Sequence, residues 1–357
     1  MRNLTLAIAG VLVAAMAFAQ APAAPAPTGP APTGLIVGSG NFFSPIVGDL
    51  GAAVAFYRDG LGLDVQGDPA NADTNPALRN MFGLPDASLR WQIGRPTGMR
   101  TGVEIIEIKK ASGRPLERRY QDVGAFSLIA IVRDLDATFA RLKQLGAPVV
   151  TRGGAPVKIG NANAKAVIVK DPDGHFLELF QPDPLPPATA TPAPNVIEVR
   201  VRLSVGDLEK ETKLYTDALG MAMRQPGTFE KTPAVLDMMG LPKDAEYRAS
   251  MFTVPTTGLI FELIDFKGVD RKVVRGNIQD PGSTRIQLQV RDVDATIATL
   301  KQAGGAVVST GGTTVDLPGR GGATTKVAIV RDPNNLFLVL IQAAAAAPAP
   351  PSSLRVQ

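Results

Sequence analysis

Apolar residues at helical spacing recur along the chain, and each run begins directly after an aspartate. The segment that follows Asp49, LGAAVAFYRDGLG, carries apolar residues three and four positions apart, and so does the segment after Asp134. Aspartate is a favoured N-cap, and this spacing gives a helix one apolar face. Both segments are therefore predicted helices that end at glycines. The segments after Asp207 and Asp292 repeat the pattern.

Short runs rich in Val, Ile, Leu and aromatic residues separate these helices and are predicted strands. In the first half of the chain they include LRWQIG, VEIIEIK, AKAVIVK and HFLELFQ. A strand precedes each capping aspartate, and further strands follow each helix. The simplest interpretation is a β-α-β-β-β module that occurs four times, which predicts an α+β fold.

The second half of the chain repeats the first. VRDLDATFARLKQLGAPVV at 132–150 matches VRDVDATIATLKQAGGAVV at 290–308, a separation of 158 residues (292 − 134). Towards the end of each half, around the DPDG and DPNN segments, the separation becomes 161 residues (332 − 171). Such agreement indicates an internal duplication. It predicts two domains, residues 35–182 and 195–342, each with two modules.

Segments rich in proline and alanine flank these domains. We expect 20–34 and 183–194 to be extended linkers and 343–357 to be a tail of the same kind. Residues 1–19 read as a cleaved signal peptide, because Arg2 precedes an uncharged apolar run that ends in Ala-Phe-Ala. An uncleaved anchor is the alternative. The expected location is therefore periplasmic or secreted, with no membrane attachment after cleavage.

Composition narrows the possible chemistry. The chain has no cysteine, which excludes disulfides, thiolate metal ligands and a cysteine nucleophile. Its net charge of +4 is spread among interspersed acids and bases, so we expect no nucleic-acid partner. His175 is the only histidine, and it stands in VKDPDGHFLELFQ at 169–181.

These segments together resemble the vicinal oxygen chelate superfamily, which includes glyoxalase I, bleomycin-resistance proteins and extradiol dioxygenases. The likeness rests on VGDLGAAVAFYRDGLGL, VRDLDATFARLKQLGAPVV, APVKIGNANAKAVIVKDPDGHFLELFQ and their second-half counterparts, which cover nearly all of both domains. The resemblance implies two tandem glyoxalase-like domains. In each, two β-α-β-β-β modules form a curved, half-open sheet with helices outside and ligands inside the cup.

For metal-using relatives, the resemblance implies four inward-facing positions in each domain. These are a histidine seven residues before each capping aspartate and a glutamate in the last strand of each module. The matching positions here are Phe42, Glu104, Ser127 and Glu178 in the first domain, and Arg200, Glu262, Arg285 and Val339 in the second. Glu104 is preferred to Glu107 because EIIEIKK aligns with ELIDFKG, and alternation places the two on opposite faces of the strand.

No imidazole stands at any of these positions. A guanidinium cannot ligate a metal, but it can bind a carboxylate through charge-assisted hydrogen bonds. We therefore expect neither metal nor other cofactor, with a divalent ion at Glu104 and Glu178 as the alternative. Arg200, Glu262 and Arg285 are predicted either to bind an anionic small molecule or to form a structural ion cluster. Phe42 and Ser127 would line the same sites.

His175 and Trp91 have separate interpretations. His175 lies three residues before Glu178 at a turn, so it should point away from the cup as a rim or surface residue. Trp91, in LRWQIG, could line a cup.

Three functions remain open from the sequence. The first is a metal-independent small-molecule-binding protein. The second is a lyase, isomerase or dioxygenase with Glu104 or Glu178 as general base. The third is an interaction scaffold. The sequence leaves open the oligomeric state and which modules share a cup.

Overall fold

The computed structural model describes residues 34–67, 75–160, 163–188, 190–318 and 324–342. The predicted signal peptide and tail, and the predicted first linker up to residue 33, lie outside the described residues. Within the described part of the chain, no helix is long and apolar enough to cross a bilayer.

The described residues of the first half form nine strands: β1 Ile36–Ser39, β2 Ser44–Val47, β3 Asp64–Gln66, β4 Ser88–Arg95, β5 Val103–Lys109, β6 Phe126–Val132, β7 Val157–Lys158, β8 Lys165–Lys170 and β9 Phe176–Gln181. The second half contains β10 Val196–Ser204, β11 Ala222–Gln225, β12 Glu246–Thr253, β13 Ile260–Lys267, β14 Thr284–Val290, β15 Ala306–Val307, β16 Val315–Pro318, β17 Thr324–Arg331 and β18 Phe337–Gln342.

The α-helices are α1 Leu50–Ala55, α2 Pro76–Met81, α3 Leu135–Gln144, α4 Leu208–Lys213, α5 Pro233–Met238 and α6 Val293–Gln302. Two π-helical segments, Phe56–Leu61 and Leu214–Ala218, continue α1 and α4, and 3₁₀ turns span Arg152–Gly154 and Thr310–Gly312.

The four long helical segments begin where the sequence predicts. Asp49 accepts a hydrogen bond from the backbone N–H of Ala52 at 3.0 Å, and Asp134 accepts one from Ala137 at 2.9 Å. Asp207 and Asp292 cap α4 and α6 in the same way. Each side chain satisfies a backbone donor that the first helical turn leaves without a partner. The predicted caps are confirmed.

The strands form two mixed sheets, and each sheet combines one module from each half of the chain. Sheet 1 has ten strands in the order β15-β17-β18-β14-β2-β5-β4-β3, with β1 on β14 and β16 on β17. Sheet 2 has the order β11-β12-β13-β10-β6-β9-β8-β7. The first module therefore pairs with the fourth, and the second pairs with the third. This answers the question of module sharing that the sequence leaves open.

A large apolar core lies on one face of each sheet and includes the buried residues of α1, α3, α4 and α6. The opposite face of sheet 1 carries a second cluster with Ile106, Ile329 and Val339. We call this face cup 1. The corresponding face of sheet 2, with Ile129, Ile168 and Ile264, is cup 2. The helices therefore cover the outer faces of the cups, and the α+β fold with two glyoxalase-like domains is confirmed.

A short helix from one module packs against the outer strands of its partner module in each cup. Helix α2 contacts β16 and β17, and it adds Met81 to the cluster of cup 1. Helix α5 contacts β7 and β8, and it adds Val235, Leu236 and Met238 to the cluster of cup 2. These contacts tie the two halves of the chain together at the cups.

Candidate functional site: two cups with buried ion pairs

Cup 2 has a buried arginine between two carboxylates. The Nε of Arg202 donates to Glu262 at 2.8 Å, and its Nη1 donates to Glu178 at 2.5 Å. Nη1 also donates to the hydroxyl of Tyr120 at 2.6 Å. The three charged side chains are only 4–5% exposed. The β-ladder explains this arrangement, because Arg202 lies opposite Glu262 on β13 and opposite Ser127 on β6.

Burial shifts the proton equilibria of this cluster. Loss of hydration raises the pKa of Glu178, and Arg202 opposes that rise only in part, since it is shared with Glu262. Burial acts to lower the pKa of Arg202, but the two carboxylates outweigh it and hold that pKa well above its ordinary value. The guanidinium is therefore charged and supplies the positive charge for both carboxylates.

Cup 1 has one arginine and one carboxylate on its floor. Nη2 of Arg285 donates to Oε2 of Glu104 at 2.8 Å. The same oxygen also accepts from Gln287 Nε2 at 3.0 Å and from Ser44 Oγ at 3.3 Å. The guanidinium of Arg285 lies 4.6 Å from the centre of the Phe82 ring, a cation–π contact.

The floor carboxylate of cup 1 is more exposed than the two floor carboxylates of cup 2, which are each 4% exposed. The Glu104 side chain is 16% exposed, while that of Arg285 is 2% exposed. The Nε of Arg285 is buried without a hydrogen-bond partner among the described residues. Burial lowers the pKa of Arg285, although Glu104 opposes this shift.

The walls of cup 1 are apolar and partly open. Trp91 and Ile108 pack beside the buried cluster, as do Val315, Leu317 and Ile341, and all five are half-buried. In cup 2 the residues that match Trp91, Ile108 and Ile341 are Ala249, Phe266 and Phe180, and all three are buried. Val157, which matches Val315, is half-buried in the same way. Trp91 therefore does lie against the cluster of cup 1.

The structure brings the sequence-predicted residues together across the two halves. Glu104 meets Arg285 in cup 1, whereas Ser127, Glu178, Arg200 and Glu262 share cup 2. The predicted cluster of Arg200, Glu262 and Arg285 does not form, because the third and fourth modules belong to different sheets. Val339 lies in the apolar cluster of cup 1.

Two positions are displaced by two residues from the predicted ones. Phe42 does not line a cup, since its side chain belongs to the large core on the helix side. Arg200 bonds Glu198 at 2.8 Å and approaches Glu262 only to 3.9 Å. Ser44 and Arg202 occupy the floor instead. Ser127 and Arg285 lie on the cup side seven residues before their aspartates, whereas Ser44 and Arg202 lie five residues before theirs.

Two features of the sequence are consistent with Ser44 and Arg202, rather than Phe42 and Arg200, on the cup floors. Ser44 and Arg202 match at the repeat separation of 158 residues (202 − 44). Arg202 and Glu262 are also a possible ion pair on adjacent strands. Neither signal is decisive without the strand register.

His175 is buried, so its prediction as a rim or surface residue is wrong. Its side chain is 1% exposed and bonds Asp171 through Nδ1 at 2.9 Å. Nε2 lies 3.0 Å from the carbonyl oxygen of Ser283, in the other half of the chain. The ring also meets Phe43 edge-on at 6.1 Å. His175 precedes β9, so strand alternation did not determine its direction.

The matching turns of the two halves carry different buried charges. Tyr57 donates to Asp171 at 3.0 Å, and Tyr215 donates to Asp332 at 3.2 Å. His175 accompanies Asp171, but Leu336 stands at the matching place beside Asp332. Burial works to lower the pKa of His175, but Asp171 outweighs it and raises that pKa overall.

Within the described part of the chain, no such cation lies beside Asp332. Burial, with a further contribution from nearby Glu211, raises the pKa of Asp332 to about 7. Burial also raises the pKa of Glu211, whose Oε2 has no partner among the described residues. These groups lie on the helix side of the sheets and form no part of either cup.

The cup floors do not fit a divalent metal ion. Among the described residues, no group of three or more His, Cys, Asp or Glu side chains could hold one. A guanidinium occupies each floor, and it cannot ligate a cation because it has no lone pair to give. In cup 2 both carboxylates already face Arg202, so a cation would have to displace that arginine.

Comparison with known proteins places the chain in a family. The model of the Glyoxalase/Bleomycin resistance protein/Dioxygenase superfamily matches residues 41–179 and again 199–340. A lactoylglutathione lyase of Oryza sativa is 28% identical over 222 residues, which cover 62% of this chain and 66% of that protein. A probable lactoylglutathione lyase of Vibrio cholerae is 31% identical over 140 residues, 39% of this chain and 86% of the relative.

Solved structures share the fold. Glyoxalase I from Zea mays matches with a TM-score of 0.50 at 19% identity, covering 85% of this chain and 92% of that one. A putative dioxygenase from Bacillus subtilis matches with a TM-score of 0.50 at 16% identity, covering 87% and 86%. The chain therefore belongs to the glyoxalase/bleomycin resistance protein/dioxygenase superfamily, and it carries two copies of that domain.

Proposed function

We propose that the protein is an exported, metal-independent member of this superfamily that binds a small organic molecule in cup 1. Cup 2 then serves as a structural counterpart whose ion cluster stabilises the fold. The observation that carries this proposal is the contrast between the two floors. Arg202 is sealed between two carboxylates, whereas Glu104 remains partly exposed below half-buried apolar walls.

The chemistry of cup 1 suits a mostly apolar ligand with one polar end. Trp91, Ile341 and their neighbours offer apolar and aromatic contact, which provides most of the affinity in small-molecule sites. Ser44, Gln287 and Arg285 offer donors at the floor, and Glu104 is the acceptor that they share. A ligand carboxylate or carbonyl could compete with Glu104 for these donors.

Export is part of the proposal and rests on the N-terminal sequence alone. An N-terminal fusion of residues 1–34 to a reporter enzyme that lacks a signal should reach the periplasm, and Arg2→Glu together with a charged residue in the apolar run should retain it in the cytoplasm. Retention of the unaltered fusion in the cytoplasm would refute export without affecting the binding proposal.

Binding can be tested by thermal unfolding against a library of aromatic and aliphatic carboxylates and ketones. A ligand of the native state raises the melting temperature, and its stabilisation reaches about 2.7 kcal/mol at a hundredfold excess over Kd. Trp91→Ala should weaken a hit by about tenfold or more, because it removes a wall of the cup. Glu104→Gln should instead strengthen a carboxylate hit, because it removes the negative charge that competes for Arg285, Gln287 and Ser44. The matched control is Tyr120→Phe in cup 2, which should leave the affinity unchanged.

Two results would contradict the proposal. One is a complete absence of stabilising compounds. The other is a hit that responds to Tyr120→Phe as strongly as to Trp91→Ala.

A second candidate is catalysis of the kind named for the relatives, which are lactoylglutathione lyases. Glu104 is the better candidate base of the two predicted ones, because Glu178 is sealed against Arg202 and Tyr120. An assay for lactoylglutathione turnover with added divalent metal ions, repeated on Glu104→Gln, separates this function from binding. Turnover that Glu104→Gln abolishes would favour the lyase.

An interaction scaffold is the remaining alternative. Recovery of a stoichiometric protein partner from the periplasm, with no effect of cup 1 substitutions on its binding, would favour it over both proposals.

A further inference from the structure

A cleft lies where the loop between β5 and β6 meets the loop between β13 and β14. Its volume is about 470 Å³. It is lined by Arg114, Pro115, Leu116, Glu117, Arg275, Gly276, Asn277, Asp280 and Arg331. This lining includes none of the residues that form the floor of cup 1, so the inference below does not depend on the proposed function.

Three arginines face this cleft, and their guanidinium groups have no hydrogen bond or ion pair within the described part of the chain. Arg114 and Arg275 are exposed, and Arg331, at the end of β17, is half-buried. Unpaired arginines that converge on one concave surface form a site for oxyanions, because each guanidinium can bind a phosphate or carboxylate through two parallel hydrogen bonds.

The acidic residues of the cleft do not neutralise these arginines. Asp280 is 4% exposed, and both of its carboxylate oxygens accept from backbone N–H groups. The donors are Arg114 at 2.9 Å and Asn277 at 2.7 Å. Asp280 therefore fixes the two loops against each other. Glu117 is exposed and forms no ion pair among the described residues.

The internal duplication provides a matched surface on which two cations, Arg119 and Lys170, are bonded within the protein. Asp122 matches Asp280, and it accepts from the backbone of Lys272 at 2.9 Å as Asp280 does from Arg114. On that side Arg119 pairs with Asp122 at 2.7 Å and with Asp270 at 3.1 Å. The residues that match Arg119 and Asp270 are Asn277, which lines the cleft, and Ser112, and both are uncharged.

Arg331, the third arginine of the cleft, also lacks the bonds that its counterpart on the matched surface forms. Lys170 matches Arg331, and its Nζ donates to the carbonyl of Arg118 at 2.8 Å while lying over the Phe176 ring. Arg331 forms no such contact among the described residues. On one of the two related surfaces Arg119 and Lys170 are thus bonded within the protein. On the other, the three guanidinium groups have no partner among the residues that the structure describes.

We propose that this cleft binds a small polyanion with at least two phosphate or carboxylate groups. The cleft volume suits a molecule of the size of a short phosphate ester or a tricarboxylate, and the three guanidinium groups match its charge. Phosphate and carboxylate ligands share this chemistry, so inorganic pyrophosphate and citrate are the two probes.

Isothermal titration of the full chain with each probe at low salt tests the site, since screening weakens exposed charge pairs as salt rises. Arg275→Gln and Arg331→Gln should each weaken binding by at least about tenfold. The control is Lys272→Gln, which removes the exposed cation that matches Arg114 on the paired surface, and it should change the affinity less than twofold.

Tighter binding of pyrophosphate would assign the ligand to the phosphate class, and tighter binding of citrate would assign it to the carboxylate class. Binding of neither probe, or an equal loss in Lys272→Gln and Arg275→Gln, would overturn the proposal. Because Arg275 is exposed, its substitution should leave the melting temperature without probe unchanged, and a loss of affinity in this variant cannot be ascribed to unfolding.

Discussion

Cup 1 and cup 2 occupy matching places in the duplicated chain, but they place their charges on different strands. In cup 2 the floor arginine is Arg202 on β10, and the matching residue of cup 1 is Ser44. In cup 1 the arginine is Arg285 on β14, and the matching residue of cup 2 is Ser127. Among the described residues, the floor carboxylate of each cup thus has one directly bonded arginine, although that arginine comes from a different module.

The carboxylates differ as well. Glu262 and Glu104 match, but Glu178 has Val339 as its counterpart. Cup 2 therefore needs its arginine to offset two buried carboxylates, whereas cup 1 pairs one arginine with one partly exposed glutamate. The difference leaves the ion cluster of cup 2 buried and the floor carboxylate of cup 1 partly exposed.

The largest expected effect comes from Arg202→Met. It leaves Glu178 buried without its cation and Glu262 with only Arg200 at 3.9 Å. Removal of one partner from such a cluster costs about 3–5 kcal/mol in the free energy of unfolding. Urea unfolding measures this loss. Adding Glu178→Gln and Glu262→Gln to the variant should recover most of it. A loss below about 1 kcal/mol would mean that the cluster does not stabilise cup 2.

A second effect separates the two matching turns. Asp332 has a pKa of about 7 in the folded protein, well above that of an exposed aspartate. A raised carboxyl pKa disfavours the folded state as pH rises, and the penalty grows from about pH 4 until the folded pKa is passed. Asp332→Asn removes this penalty, so the variant should gain about 3–4 kcal/mol at pH 8 relative to pH 4, because the pKa is raised by about three pH units.

Asp171→Asn is the matched control for that measurement. It deprives His175 of its counter-ion and should destabilise the protein, whereas Asp332→Asn should stabilise it at pH 8. Equal pH profiles for the two variants in urea unfolding would contradict the assigned difference between the turns.

The third effect sharpens the contrast between the floors. Arg285→Met should cost only about 1–2 kcal/mol, less than Arg202→Met, because Glu104 is partly exposed and keeps two hydrogen-bond donors. The same urea unfolding experiment applies. A cost equal to that of Arg202→Met would show that the two cups are equally dependent on their ion pairs.

The smallest effect concerns His175. Its folded pKa is raised, so its pairing with Asp171 contributes stability at low pH that is lost as pH rises through the folded pKa. His175→Leu copies the residue of the second half. Its destabilisation should be about 1 kcal/mol larger at pH 5 than at pH 9 in thermal unfolding. A loss independent of pH would mean that His175 is neutral throughout.

The sequence allowed the repeated elements to be predicted, because caps and apolar spacing act locally. Asp49 and Asp134 begin their helices as expected, and the family resemblance is confirmed by the matches over both halves. The pairing of modules depends on contacts between residues far apart in sequence, such as β14 with β2. No local pattern contains that information.

The candidate site was only partly predictable for the same reason. Glu104 and Arg285 were both named, but they were assigned to different domains. Arg202 was missed because a two-residue error in register keeps the same face of a strand and so leaves the apolar pattern unchanged. The direction of His175 depended on Ser283, which lies 108 residues further along the chain.

The pairing of each module with one from the other half has a consequence for how the molecule can vary. If the two halves were separate, identical subunits, any substitution would appear in both sheets at once. Because they are joined in one chain, a serine can stand at position 44 while an arginine stands at 202. Because the halves are covalently joined, the residues of cup 2 can change without the same change in cup 1. One cup can therefore gain buried ion pairs while the other gains selectivity for a ligand.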